Sequence, residues 1–279
     1  MNTFIYNEEF KRELREDPHP FGEVSLLESA AEPGMTALDI GANKGLTTIA
    51  LARKVGRKGR VYPFEPVPEY YRTLQANLSR NDVHNVKTHR LALGDSTGQT
   101  HYYKDGGGSG IVRQNGAEKL SVKVTTLDKF MEKEASPPVD LINMDCEGSE
   151  LLALKGGKRT LASGPVKIFC EIHRGRLAEL GQSLDELVRW LKDRGFAVKP
   201  VLVDDLEKDV SYEECTHIFA SREADAPGPE PDVKRLEKQL ADLQARMPAH
   251  SASPAMLQER EELEDKLQEA KRNENSSND

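Results

Sequence analysis

The sequence predicts an α/β fold with a mostly parallel sheet, an antiparallel end, helices on both faces and a C-terminal helical tail. Short segments rich in Val, Ile and Leu alternate with helical patterns from residue 36 onward, which is typical of parallel strands buried on both faces. The last two strand patterns, 196–203 and 215–221, have no helical pattern between them and indicate the antiparallel end. Beyond a proline-rich linker, apolar residues recur at gaps of three and four, the spacing of a coiled-coil seam.

The bounds of the individual elements are predicted from the spacing of apolar residues and from the glycine and proline residues that end each pattern. The predicted strands are 36–42, 59–66, 85–95, 119–131, 138–148, 165–173, 196–203 and 215–221. The predicted helices are 7–16, 23–31, 45–56, 68–81, 149–164 and 183–195. Gly56 ends one helix, and Pro68 suits the first turn of the next. Residues 98–110 are predicted as a hairpin-like pair of turns whose end, "KDGGGSG" (104–110), is either a lid over a site or a plain loop.

Composition changes predict the domain boundaries. The main domain covers residues 1–222, in which 1–31 is an N-terminal helical segment, and a linker at 223–232 leads to the tail at 233–279. The predicted apolar stripes of the tail are Val233, Leu236, Leu240, Leu243 and Met247, then Met256, Leu263, Leu267 and Ala270. A helical hairpin, a homo-oligomer or a docking partner would bury these stripes, and the alternative is a frayed, charged tail.

Composition also narrows the classes of partner. The net charge of −8 is concentrated beyond residue 222, and no basic block suggests a nucleic-acid partner. No apolar run has the length of a membrane span, and the N-terminus lacks the apolar core of a signal peptide. Three widely spaced cysteines form no metal pattern and give no reason to expect disulfides. We therefore expect a cytoplasmic protein without a membrane span.

The stretch "ALDIGANKGLTTIALA" (37–52) places a glycine turn between a strand and a helix. A dinucleotide fingerprint needs glycine at the middle position, where this chain has Asn43, and the Walker phosphate loop is also absent. Glu65 ends the next strand about 20 residues later, where a carboxylate can accept both hydroxyls of a ribose. The Asn43 amide can hydrogen-bond an amino-acid head group, the Glu65 carboxylate can bind a ribose, and the turn has no pyrophosphate site. S-adenosylmethionine fits this combination.

Six segments in order then resemble the FkbM family of S-adenosylmethionine-dependent methyltransferases: "LDIGANKGLTT", "VYPFEPVPEYYRTLQANLSRN", "LALGDSTGQTHYY", "VTTLDKF", "LINMDCEGSELLALKGG" and "IFCEIH". The resemblance covers about residues 23–222 and implies the class I Rossmann-like methyltransferase fold. Asn143 stands where the family usually has lysine, and Lys44 where it generally has an apolar residue. The candidate cofactor-binding residues are Asp39, Gly41, Asn43, Gly45, Glu65, Pro66, Ala92, Leu93, Asp95 and Asp145.

Polar residues at the predicted strand ends supply the candidate catalytic groups, because such ends meet at one edge of a parallel sheet. Asp145 ends a buried strand, where a carboxylate needs a partner or a function. Glu147 either binds the acceptor or caps the next helix. His173 is the preferred general base, since its ordinary pKa lies near neutrality, and Glu171 either orients His173 or is itself the base. The carboxylates also allow a divalent cation such as Mg²⁺, which no further metal pattern favours.

The predicted function is O-methylation of a hydroxyl on a sugar, a glycan or a secondary metabolite, with S-adenosylmethionine as the cofactor. Two alternatives come from other classes. A nicotinamide-dependent oxidoreductase on the same kind of sheet is disfavoured by Asn43. A non-catalytic scaffold that presents a coiled-coil tail would not bind the cofactor.

Overall fold

The computed structural model describes residues 6, 10–11, 19–104, 108–113, 115–134, 137–206 and 208–222, and in the tail 237, 240–241, 243–244, 256, 260, 263–264, 267–268 and 271. The chain divides into two compact units, 1–226 and 227–279. The first unit contains all the named strands. The boundaries predicted from composition for the domain, the linker and the tail stay a prediction.

The described elements of the first unit alternate between helices and strands at first, and later include runs of two or three elements of one kind. In chain order they are α1 (His19–Ala30), β1 (Thr36–Ile40), α2 (Leu46–Val55), β2 (Arg60–Phe64), α3 (Pro68–Arg80), β3 (Ala92–Leu93), β4 (Gly98–Lys104), β5 (Glu118–Thr125), α4 (Leu127–Glu134), β6 (Leu141–Met144), α5 (Glu150–Lys155), α6 (Lys158–Ala162), β7 (Lys167–Glu171), α7 (Arg174–Glu179), α8 (Leu184–Lys192), β8 (Ala197–Val201) and β9 (His217–Ser221).

The main sheet has six strands in the order β2-β1-β6-β7-β9-β8. β2, β1, β6 and β7 are parallel, whereas β9 runs antiparallel to both β7 and β8. The predicted mostly parallel sheet with an antiparallel end is therefore confirmed. From β1 the chain continues to β2 on one side and later reaches β6 on the other, so the strand order reverses between β1 and β6. Ligands of open α/β sheets bind at such a switch point, outside the carboxyl ends of the strands.

Both faces of the sheet are covered. Leu38, Ile142 and Ile168 belong to one buried cluster, whereas Ala37 and Leu141, their neighbours along the strands, belong to another. Alternate residues of a strand point to opposite faces. The two clusters thus explain why these short strands are apolar throughout rather than alternating with polar residues.

The predicted third strand, 85–95, is divided between two sheets. Val86 and His89 make parallel bridges to β2 at the edge of the main sheet. Ala92–Leu93 instead forms β3, which pairs with β5 in a separate three-stranded sheet of order β3-β5-β4. Residues 98–104, predicted as turns, form β4, which pairs along its whole length with β5.

The bounds of one predicted strand and one predicted helix need correction. The predicted strand 119–131 ends at Thr125, because Thr126 Oγ1 accepts a hydrogen bond from the Lys129 N–H and begins α4. The predicted helix 149–164 is broken into α5 and α6 at Gly156. A Cβ at Gly156 would lie 2.0 Å from the Gly94 carbonyl oxygen, so this close approach requires glycine. α7 was not predicted.

Near the N-terminus Phe10 and Lys11 are helical whereas Tyr6 is not, and the described residues of the tail are helical. Phe10 and Lys11 are the described members of the predicted helix 7–16, whose other residues lie outside the described set. In the tail, Lys271 Nζ lies 2.9 Å from Glu237 Oε1, which links two helical positions far apart in sequence. Val233, Leu236, Met247 and Ala270 lie outside the described residues, and burial of the tail stripes by an oligomer or a partner stays a prediction. Among the helices described here, none has the length and hydropathy needed to cross a membrane.

Candidate active site

The glycine turn after β1 lies against the end of β6. Gly41 has φ +90°, and a Cβ at this position would lie 1.6 Å from the Asp145 carbonyl oxygen. The Asp145 N–H donates to the Ile40 carbonyl at 2.9 Å, so the two strand ends are joined directly. Gly45, with φ +93°, precedes α2 and packs closely against Leu74. The turn is thereby held at the switch point between β1 and β6.

Glu65 connects the end of β2 to this turn. Its side chain is buried, with 4% exposed, and its Oε2 accepts the Asn43 N–H at 2.9 Å. Its Oε1 accepts the Val67 N–H at 2.7 Å. Burial raises the pKa of the Glu65 carboxyl to about 7, although both hydrogen bonds favour the ionised form. Each oxygen retains one further lone pair for a ligand hydroxyl.

Asn43 also carries an unsatisfied acceptor. Its Oδ1 is shielded from solvent and has no hydrogen-bond partner among the described residues, and its backbone has a positive φ of 46°. Buried polar atoms in folded proteins normally have a partner, and positive φ is uncommon outside glycine. The turn therefore combines backbone strain with an acceptor that a bound donor would satisfy.

Asp39 is fully buried beneath the turn in a network of hydrogen bonds. Its Oδ2 accepts hydrogen bonds from the hydroxyls of Thr47, at 2.9 Å, and Thr48, and its Oδ1 accepts one from Asn143 Nδ2 at 3.0 Å. Burial raises the pKa of Asp39, and these three donors oppose the rise. Because its oxygens already accept hydrogen bonds from α2 and β6, Asp39 joins the start of α2 to β6 beneath the turn.

The Asn143 amide thus has a defined place, where the FkbM family usually has lysine. Asn143 lies directly opposite Asp39 in the β1–β6 register. A neutral amide donor supports a buried carboxyl without adding a second buried charge, which would need its own partner. This departure from the family pattern therefore affects the support of the turn.

Four of the predicted catalytic residues meet at the ends of β6 and β7. His173 Nε2 lies 3.6 Å from Asp145 Oδ1, 3.4 Å from Glu147 Oε2 and 3.6 Å from Glu171 Oε1. The other ring nitrogen, Nδ1, lies 3.0 Å from Glu150 Oε1. Glu150 is fully buried and also accepts the Gly148 N–H at 2.9 Å. Because a carboxylate only accepts, Nδ1 carries the proton and Nε2 faces the three other carboxyl groups.

The electrostatics of this cluster follow from crowding and burial. Burial raises the pKa of Asp145, Glu147 and Glu171, the last to about 8, and neighbouring carboxylates add to the rise. Burial alone would lower the pKa of His173. The hydrogen bond to Glu150 and the charges of nearby carboxylates outweigh it and raise that pKa to about 9. Perturbed pKa values in a cleft are typical of functional sites.

These shifts predict that the free energy of unfolding falls as the pH rises from 4.5 to 9. Glu65 and Glu171 have pKa values of about 7 and 8 in place of 4.5, and His173 has about 9 in place of 6.5. A raised pKa contributes stability below the unfolded-state value, and that contribution is lost as the pH passes the folded-state value. Glu65 alone accounts for about 3 kcal/mol. Urea denaturation across this range measures the fall, and a flat profile would contradict it.

Arg176 and residues 108–110 cover the cluster around His173. Arg176 Nε lies 2.7 Å from Glu147 Oε2, and a Cβ at Gly108 would lie 2.6 Å from Arg176 Nη2. A Cβ at Gly110 would lie 2.9 Å from the Glu147 carbonyl oxygen. Burial raises the pKa of Tyr102 on β4, and the charges of Glu65 and Asp145 add to the rise because they lie near its ring. Residues 108–110 of the segment 104–110, for which the sequence left a lid and a plain loop open, therefore contact the candidate site.

Not every predicted residue joins this site. Pro66 is buried between Glu65 and Val67, whereas Ala92 packs near Tyr102 in the smaller cluster. Leu93 belongs to the main core. Asp95 is exposed in the turn between β3 and β4. The adenine-binding role of Ala92, Leu93 and Asp95 stays a prediction.

Sequence reasoning missed six residues that build the site: Thr47, Thr48, Tyr102, Asn143, Glu150 and Arg176. Glu150 had a signal, since it ends the run "DCEGSE" (145–150) within the quoted segment "LINMDCEGSELLALKGG" and stands in the first turn of an apolar helix. Tyr102 had none, because only the second sheet brings it to the end of β2. The ligand atoms of Asp145, Glu171 and His173 lie within 4.8 Å of one another, a spacing that one cation would also fit. No metal ligand is assigned to them.

Comparison with known proteins gives the family. A profile described as the methyltransferase FkbM domain matches residues 39–198, more than half of the chain. The chain belongs to the FkbM methyltransferase family. The matched FkbM domain runs from Asp39 to β8 and contains Glu65, Asp145 and His173. The resemblance inferred from the motifs is therefore confirmed.

Relatives of the FkbM domain are distant. The hexuronic acid methyltransferase AglP of Haloferax volcanii is 28% identical over 158 residues, which are 54% of this chain and 62% of AglP. The 2-O-methyltransferase NoeI of Sinorhizobium fredii is 28% identical over 157 residues, covering 50% of this chain and 62% of NoeI. The chain thus spans less than two thirds of the length of these relatives. A solved FkbM methyltransferase from Methylobacillus flagellatus aligns with a TM-score of 0.45 and 22% identity, over 68% of this chain and 44% of that one.

Proposed function

We propose that this chain transfers a methyl group from S-adenosylmethionine to a hydroxyl of a sugar, a glycan or a secondary metabolite. The observation that carries the proposal is the junction of Glu65 with the glycine turn, next to the carboxyl–histidine cluster at the ends of β6 and β7. The names of two relatives, a hexuronic acid methyltransferase and a 2-O-methyltransferase, support an oxygen acceptor on a sugar.

The residues of the turn fit this cofactor. Glu65 offers two oxygens with free lone pairs to a ribose diol, and Asn43 Oδ1 offers an unsatisfied acceptor to an ammonium group. Asn43 occupies the position where a pyrophosphate-binding turn needs glycine, which disfavours a nicotinamide dinucleotide. The nicotinamide alternative also finds no support in the family comparison.

When bound, the cofactor supplies a methyl group activated on a sulfonium centre. The protein's part is to align the acceptor, exclude water and remove the hydroxyl proton. Glu150 holds His173 with Nδ1 protonated, so that Nε2 can take that proton. Asp145 and Glu147 border Nε2 and position the acceptor hydroxyl. Gly108 and Gly110 cover Glu147 and Arg176 and limit the entry of water.

Binding of the demethylated product tests the cofactor assignment. Titration calorimetry with S-adenosylhomocysteine and with NAD should give heat of binding for the first ligand only. Incubation with radiolabelled S-adenosylmethionine and a panel of hexuronic acids, neutral sugars and hydroxylated metabolites then identifies the acceptor. Binding of NAD without S-adenosylhomocysteine would overturn the proposal, and absence of binding by either ligand would favour a scaffold.

The Glu65→Gln variant should bind S-adenosylhomocysteine about 10- to 100-fold more weakly, because a hydrogen bond to a charged group contributes roughly 1.5–3 kcal/mol. Calorimetry measures the change. Glu69→Gln, four residues further along in the exposed first turn of α3, is the matched control and should bind normally. Unchanged affinity in a folded Glu65→Gln protein would show that this carboxylate does not contact the cofactor.

A further inference from the structure

Glu171 belongs to two groups of side chains. On one side, a carboxyl oxygen of Glu171 lies within 4.8 Å of a carboxyl oxygen of Asp145 and of a ring nitrogen of His173. On the other, Glu23, Glu171 and His217 form a second cluster of the same tightness. Glu171 is therefore the side chain that joins the candidate acceptor site to α1 and β9.

The second cluster is well enclosed. His217 is 3% exposed and its Nε2 lies 3.3 Å from Glu23 Oε1. Its other ring nitrogen lies 3.0 Å from Thr216 Oγ1. A carboxyl oxygen of Glu171 and one of Glu23 lie within 4.8 Å of each other, and the neighbouring Glu23 carboxyl group adds to the rise in the pKa of Glu171. A hydrogen bond between two carboxyl groups requires a proton on one of them, because ionised carboxylates only accept.

We propose that Glu23 is a positioning residue of the acceptor site, which accepts a hydrogen bond from the protonated carboxyl group of Glu171 and holds it beside His173. His217 fixes Glu23 from the opposite side. This inference rests on the proposed methyl transfer, because it assigns the role of Glu171 within that site.

The arrangement decides between the two roles that the sequence left open for Glu171. When the Glu171 proton is engaged in the hydrogen bond to Glu23, Glu171 orients the site, and proton removal falls to the neutral form of His173, which becomes more abundant as the pH rises towards its pKa of about 9. The titratable and charged groups that face Glu171 are Glu23 from α1, Asp145 from the end of β6, Glu147 and Glu150 from the following turn and helix, and His173 and His217. Carboxyl groups outnumber the two imidazoles, and this favours retention of the proton.

The positions of Glu23 and His217 in the chain extend the site beyond the matched FkbM segment. Glu23 precedes the matched FkbM segment of residues 39–198, and His217 follows it. Both reach the end of β7, Glu23 from α1 and His217 through its pairing with Glu171 in the β7–β9 register. Elements that flank the matched segment thus complete the site.

Carboxyl-carbon NMR of protein labelled with ¹³C-glutamate tests the hydrogen bond without an identified acceptor. The titration is recorded from pH 4 to 10 in buffer containing EDTA, and Glu171→Gln assigns the signal. In the wild-type protein the Glu171 carboxyl should titrate near pH 8. In Glu23→Gln, which removes the neighbouring charge, its pKa should fall by about one to three units.

Glu28→Gln, on the same helix, is the matched control and should leave the Glu171 titration unchanged. Titration of Glu171 near pH 4.5 in the wild-type protein overturns the inference, and this outcome needs no Glu23 variant to fold. An unchanged Glu171 pKa in folded Glu23→Gln overturns it as well. Calorimetry with S-adenosylhomocysteine on the same samples reports separately on the proposed function. If the wild-type protein does not bind this ligand, the proposed methyl transfer is refuted, whereas the hydrogen bond between Glu171 and Glu23 is not.

Discussion

Replacement of Gly41 by alanine is expected to lower the free energy of unfolding by about 4 kcal/mol or more and to abolish binding of S-adenosylhomocysteine. The new Cβ would lie 1.6 Å from the Asp145 carbonyl oxygen, a backbone atom that cannot move without the end of β6. The residue would also adopt a φ of +90°, which L-residues disfavour. Urea denaturation and calorimetry measure the two effects.

Gly34 provides the matched control. Its φ of +95° is almost the same, and a Cβ there would have no neighbour within 4 Å in the described part of the chain. Gly34→Ala therefore carries only the backbone strain, about 1–2 kcal/mol. The difference between the two variants isolates the contact between the glycine turn and β6. Equal destabilisation would mean that this contact relaxes at little cost.

This much of the fold could be predicted because the alternation of strand and helix patterns and the apolar runs of the buried strands are local signals in the sequence. β1, β2, β6 and β7 each follow from an apolar run between turn residues. In a parallel sheet, the ends of such strands meet at one edge, and this alone brought Glu65, Asp145 and His173 into one predicted site. The prediction needed neither the side-chain conformations nor the register.

The parts that the sequence did not predict depend on register and on contacts between distant segments. Asn143 supports Asp39 only because β1 and β6 pair with these residues opposite each other. Glu150 orients His173 only because α5 begins immediately beneath the end of β7. Tyr102 comes from a sheet whose separation from the main one has no signal in hydropathy. Such contacts are set by tertiary packing, which local patterns do not encode.

The orientation of His173, and not its pKa, is the reason that His173 rather than a carboxyl group is proposed as the base. Asp145, Glu147 and Glu171 have raised pKa values and crowd around one imidazole nitrogen. Glu150 fixes the other nitrogen, an arrangement in which a carboxylate selects the tautomer and orients the base, as in catalytic triads. Because the pKa of His173 is raised to about 9, its neutral, basic form becomes more abundant as the pH rises towards 9.

His173→Gln is therefore expected to lower the rate of methyl transfer by about 10²- to 10⁴-fold while leaving the affinity for S-adenosylhomocysteine unchanged. Glutamine keeps a donor for Glu150 but has no group that can take a proton from the acceptor hydroxyl. In the wild-type protein the rate should increase about tenfold per pH unit from 7 towards 9, because the neutral imidazole is the active form. The variant should lack this increase. Initial rates with radiolabelled cofactor and the acceptor identified from the panel measure both effects.

The control is His84→Gln, since His84 is exposed and pairs with Asp82 on the surface. It should keep both the wild-type rate and the pH profile. A wild-type rate in His173→Gln would assign proton removal to a neighbouring carboxyl group, and Asp145→Asn would then become the inactive variant. Loss of cofactor affinity in His173→Gln would instead mean that the imidazole supports the binding site, because a residue that acts only on the acceptor proton has no influence on binding of the demethylated product.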